Sequence, residues 1–157
     1  AADGGMPADG SALADGEVPA EQCVASVMAT GATITDCERC LCQPGHCQAQ
    51  LKALDGDKAG NALVACTKQK NCADLCCLCG AMCDSLGANY GMGPCAAELE
   101  TAAGATPGAG AATNASILMM NCPTTASPAT SCSRAAALGQ CVKDKCMDMC
   151  PQPPACQ

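Results

Sequence analysis

The chain contains no phenylalanine and no tryptophan, and Tyr90 is its single tyrosine. Leucine, isoleucine and valine supply only 18 of its 157 residues, about 11%, against the roughly 20% or more of globular chains. A conventional hydrophobic core is therefore excluded as the main source of stability. The 49% hydrophobic content consists largely of alanine and cysteine. Alanine removes little surface from water, and the hydrophobic gain scales with area at roughly 25 cal/mol per Å². Ordering the backbone still costs on the order of 1–2 kcal/mol per residue, so another source of order is needed.

Other absences exclude functions. His46 is the only histidine, which rules out a hydrolytic triad or metal-hydroxide site built on two histidines. His46 and Cys47 are adjacent, and adjacent side chains on a helix do not face each other. His46 therefore reads as a surface or capping residue. No run of 18 apolar residues occurs, so no membrane-spanning helix is expected. Eight basic residues against 15 acidic ones leave a net charge of −7 and an isoelectric point near 4.4. Such a surface repels phosphate backbones and anionic lipid, which argues against nucleic-acid and membrane-surface partners. Alternation of β-branched residues is missing, so no strand is expected.

What the chain has in abundance is cysteine: 18 residues, an even number. That density predicts a disulfide scaffold of up to nine bridges. Each bridge contributes roughly 2–4 kcal/mol, mostly by restricting the unfolded chain. Bridges persist in oxidising surroundings, so the expected location is secreted, extracellular or cell-surface, with a periplasm as the variant. The start at Ala1-Ala2-Asp3 suits a mature protein after removal of a signal peptide.

The expected fold class is all-α, with small disulfide-rich helical modules in two related copies and an extended N-terminal arm. Residues 1–19 form the arm. They hold no cysteine and little apolar bulk, and cannot order themselves. They are expected to lie on their own body or on a neighbouring subunit, with Met6, Leu13 and Val18 as assembly anchors. Residues 20–84 form module 1. Residues 85–157 form module 2, which includes a Gly/Ala/Thr/Pro-rich loop at 101–130. Helices are predicted from Pro19 to Gly31, from about Cys47 to Leu54, and from Lys58 to Lys70. A fourth starts near Asn71 and carries Cys72, Cys76, Cys79 and Cys83. A fifth opens at Pro94, and a last runs from Thr130-Ser131 through about Cys150, closed by Pro151.

An internal repeat underlies the two modules. Ala62-Leu63-Val64-Ala65-Cys66, with Cys72 and Cys76 beyond it, matches Ala137-Leu138-Gly139-Gln140-Cys141, with Cys146 and Cys150 beyond it. Gly45-His46-Cys47 matches Gly93-Pro94-Cys95, and Cys40-Leu41-Cys42 matches Cys77-Leu78-Cys79. Runs of this kind, namely Cys40-Leu41-Cys42, Cys72-Ala73-Asp74-Leu75-Cys76 and Cys95-Ala96-Ala97-Glu98-Leu99, make residues 21–150 resemble cysteine-rich exported proteins of predatory social soil bacteria. Most of that group have no assigned function. The resemblance implies export and disulfides, and it transfers no site residues.

Cys72, Cys76, Cys79 and Cys83 fall on one helical stripe. Cysteines four apart on a helix have Cβ atoms about 5–6 Å apart, too far for a bridge at roughly 3.5–4.5 Å. They are therefore expected to staple other helices. The alternative is a ladder of Cu(I) ligands resembling the copper storage proteins: Cys72, Cys76, Cys79, Cys83, Cys146 and Cys150, with thioethers from Met147 and Met149. Cys37-x2-Cys40 and Cys76-x2-Cys79 lie far apart and crowded by other cysteines, which weakens a zinc ribbon. Neither pair is followed by His, excluding a covalent haem motif. The glycines at 104–110 lack the Lys of a phosphate loop. Asn114-Ala115-Ser116 fits a glycosylation acceptor.

The expected function is a non-catalytic secreted or cell-surface structural protein that self-associates into an oligomer or filament. It needs no catalytic residue, cofactor or metal. The alternatives are an exported Cu(I)-binding protein and, third, a thiol oxidoreductase, for which a thioredoxin-type βαβ pattern is missing.

Overall fold

A computed structural model describes residues 13–72, 77, 93–106, 120–123 and 128–151. Six helices and no strand occur among them: α1 Ala20–Ala29, α2 Asp36–Leu41, α3 Gln48–Ala53, α4 Lys58–Lys70, α5 Ala96–Ala103 and α6 Ser131–Lys145. The all-α, disulfide-rich class expected from the sequence is what the fold shows.

Local chemistry sets each helix. Pro19 stands just before α1 with Glu21 in its first turn, and Gly31, in the left-handed region at φ +85°, follows its end. Asp57 caps α4 by accepting the Gly60 N–H at 3.0 Å. Asn71 ends that helix in the left-handed conformation, with Lys68 and Lys70 in the last turn, where cations suit the helix dipole. Thr130 caps α6 by accepting from the Ser133 N–H at 3.0 Å. Along α6 the buried positions Cys132, Ala135, Leu138 and Cys141 recur every three residues, placing one stripe against the interior.

α4 and α6 pack together as the central pair. α5 lies against both, α2 and α3 lie against α6, and α1 lies against α2. Asp57 links the central pair. Its carboxylate accepts the Ser131 hydroxyl at 2.8 Å and Arg134 Nε at 2.7 Å while it caps α4. Burial alone would raise its pKa. The Gly60 N–H, Ser131 and Arg134 outweigh that and hold it below its usual value.

Two apolar clusters fill the interior. One gathers Leu63, Cys66, Cys77, Cys95, Ala96, Ala102, Ala103, Cys132 and Ala135. The other gathers Cys37, Cys40, Leu41, Cys47, Leu54, Leu138, Cys141, Cys146 and Cys150. The largest fully buried side chains are all cysteines: Cys42, Cys47, Cys77, Cys95, Cys132 and Cys146. Bridged sulfur occupies the place that aromatic side chains take in an ordinary core.

Several boundaries differ from expectation. α2 was not foreseen; it forms because Thr35 and Glu38 make a reciprocal capping box. Cys47 stands just outside α3, at its N-terminal boundary and without a side-chain capping bond, and Cys95 stands in the same place before α5. The expected loop at 101–130 begins later, since Thr101 to Ala103 complete α5 before Gly104 ends it at φ +81°. α6 stops at Lys145, and residues 146–150 form turns. The expected helix from Asn71 falls mostly outside the described residues, and so does the Asn114 acceptor.

Candidate functional site

Seven bridges join all fourteen described cysteines: Cys23–Cys42, Cys37–Cys150, Cys40–Cys146, Cys47–Cys141, Cys66–Cys95, Cys72–Cys77 and Cys122–Cys132. None of the described cysteines is free. Three of the bridges are nested, with sequence separations of 113, 106 and 94 residues. They fasten the α2–α3 segment to α6 and the turns after it.

Positions matched within the sequence make matching bonds. Cys66 pairs with Cys95, and their counterparts Cys141 and Cys47 pair with each other. Cys72 pairs with Cys77, and their counterparts Cys146 and Cys40 pair with each other. One set is contiguous, running helix first and Cys-Leu-Cys second. The other set is split, with its helix near the C-terminal end and its Cys-Leu-Cys near the N-terminal end. Correspondingly, α5 packs on α4 and α3 packs on α6.

Cys72 departs from the expectation that the stripe staples other helices. Its partner, Cys77, is five residues away with Cα atoms 5.2 Å apart. Cys72 itself is not helical, so the helical spacing argument does not apply to it. Cys76, Cys79 and Cys83 lie outside the described residues. Cys146 and Cys150, the other members of the Cu(I) alternative, are bridged to Cys40 and Cys37.

Two groups bring three metal-type ligands within 4.8 Å of one another: Cys40, His46 and Cys146, and Cys72, Cys77 and Cys95. In each, two of the three are the halves of one disulfide. The thiolate is the form of cysteine that binds metal, and a disulfide has none to offer. His46 is half-buried, with Nδ1 donating to the Cys40 carbonyl at 2.9 Å and lying 3.4 Å from the Cys40 sulfur. It caps a carbonyl of the last turn of α2, as one of the two readings of this residue expected.

Of the expected anchors, Met6 lies outside the described residues. Val18 is held by its own chain: its N–H donates to Gln48 Oε1 and its carbonyl accepts from Gln48 Nε2, both at 2.9 Å. Glu17 Oε1 accepts the Gly45 N–H at 2.8 Å. Leu13 is 42% exposed.

Sequence reasoning missed two features. Glu38 is buried at 4% exposure and bonded to Lys68 Nζ at 2.5 Å and to the Thr35 hydroxyl. Burial raises the Glu38 pKa, but Lys68 and the Thr35 hydroxyl and N–H outweigh it and bring it to about 2. The Thr-x-x-Glu spacing at 35–38 was the available signal. The second feature is a cleft of about 970 Å³ between the helices, with Leu41, Leu51, Leu63, Val64, Leu138 and Val142 in its walls.

No protein-family model matches the chain, and neither curated proteins nor solved structures show a significant match to it. Among the described residues no helix is long and apolar enough to cross a membrane, and the bridges suit an oxidising environment.

Proposed function

We propose that this protein is a non-catalytic exported scaffold, held in shape by its bridges, that works as a subunit of an extracellular or cell-surface assembly. The observation that carries this reading is that all fourteen described cysteines are bridged. A redox catalyst needs a reachable thiolate, and a Cu(I) store needs many. The likeness to cysteine-rich exported proteins of predatory social soil bacteria belongs to this proposal. So do the two related modules and self-association, for which exposed Leu13 is the outward contact. A head-to-tail contact of that kind gives filaments unless its rotation closes a ring.

The test is a free-thiol count on protein denatured without reductant, paired with elemental analysis of the native material. The scaffold reading expects close to zero thiols and well under one copper or zinc per chain. Several Cu(I) ions per chain with many thiols would replace it by the copper-binding alternative. For assembly, Leu13→Asp is expected to lower the oligomer fraction in light scattering while the melting temperature is unchanged. An unchanged oligomer fraction would remove Leu13 from the assembly.

A further inference from the structure

The cleft between the helices is a feature that the scaffold role does not use. Leucines and valines from α2, α3, α4 and α6 face it, and the chain has no phenylalanine or tryptophan with which to fill it. Its buried or inward polar groups are already satisfied by the protein. Gln48 Nε2 donates to the carbonyls of Val18 and Cys42, at 2.9 and 2.6 Å. Asn61 donates to the Leu54 carbonyl at 2.7 Å and Thr67 to the Val64 carbonyl at 2.8 Å. Glu38 is committed to Lys68 and Thr35.

The surface left for a guest is therefore mainly hydrocarbon, with the exposed side chains of Lys52, Asp55, Lys68 and Lys143 also lining the cleft; water wets hydrocarbon poorly and an apolar molecule wets it well. Ligand sites span about 300–1,000 Å³, and a cleft of about 970 Å³ lies at the upper end. Disulfides fasten α2 and α3 to the α6 segment, so these walls are fixed to one another before any guest arrives. Such a cleft is pre-formed, and binding in it does not have to order the protein.

We propose that this cleft binds a long hydrocarbon chain of the kind carried by a fatty acid or fatty alcohol. The inference does not rest on the scaffold reading, because it requires neither assembly nor the absence of metal.

The experiment uses the full oxidised chain and the neutral fluorescent probe N-phenyl-1-naphthylamine, displaced by hexadecanol in one arm and by palmitic acid in the other. Saturable binding at one probe per chain is expected, with displacement by both and a melting temperature that rises with added hexadecanol. Displacement by the acid alone would mean that the head group, not the chain, is recognised, and would overturn the proposal. Val64→Phe, which puts a ring into the cleft, is expected to weaken binding at least tenfold with an equal or higher melting temperature. If that variant does not fold, Leu51→Phe replaces it, with the same expectation. Absence of saturable probe binding, or wild-type affinity in a folded variant, would overturn the proposal.

Discussion

Removing the bridges one at a time, and then together, distinguishes a nested clasp from three independent staples. The three bridges between the α2–α3 segment and the C-terminal stretch close loops of 94, 106 and 113 residues. In a chain-entropy treatment, closing the first restricts the unfolded chain by about 4–5 kcal/mol. Each further bridge closes only the short stretches between neighbouring cysteines, rings of about 14 and about 9 residues that contribute roughly 2.5–3 kcal/mol each. Replacing one pair by alanine, as in Cys47→Ala with Cys141→Ala, should therefore cost about 2–3 kcal/mol. Replacing all three should cost about 10 kcal/mol, more than the singles added together, because only the triple variant releases the long loop. Equilibrium unfolding in guanidinium without reductant measures this. The triple variant should also show the steepest denaturant dependence, since its unfolded chain exposes the most surface. A single-bridge variant as unstable as the triple would refute the nested reasoning, and so would a triple that loses no more than a single.

Two further outcomes follow from the polar contacts. Lys68→Met strands the buried Glu38 carboxylate and should cost about 1–2 kcal/mol at neutral pH, a discounted value because the Lys68 side chain is 62% exposed. With the Glu38 pKa lowered from 4.5 to about 2, its contribution is complete above about pH 4.5 and is lost as pH falls toward 2. Melting temperatures across that range should fall in the wild type and fall less in the variant; identical acid limbs would acquit the ion pair. Asp57→Ala removes the α4 cap and the contacts to Ser131 and Arg134. It should cost about 2–3 kcal/mol in thermal unfolding, and a change under about 0.5 kcal/mol would show that solvent replaces those bonds.

Elements with strong terminal chemistry were legible in the sequence. α4 runs between Lys58 and Lys70 as expected, since Asp57 starts it and Asn71 stops it. α6 starts at Thr130-Ser131 as expected, but ends early because Cys146 and Cys150 are drawn off by bridges to the α2 segment. α2 escaped notice because it is six residues long, although Thr35 and Glu38 carried its signature. Connectivity was not legible, because periodicity ranks faces of helices and not partners across the chain. Cys72 shows the limit: a helical stripe presumes that each of its members is helical, and Cys72 is not. The cleft was hinted at only by what the chain lacks, since missing large side chains do not say where the space they leave will be.

The order of the bridges along the chain gives the final helix a role in time as well as in space. Cys66–Cys95 and Cys72–Cys77 span 29 and 5 residues, so a chain emerging N-terminus first can complete them while synthesis continues. Cys37, Cys40 and Cys47 have no native partner until Cys150, Cys146 and Cys141 arrive. A molecule cut short before residue 141 would keep those three thiols exposed to exchange. Loss of those three thiols therefore reports that synthesis has passed residue 150, and a thiol-reactive retention step could sort such chains from shorter ones without inspecting their fold.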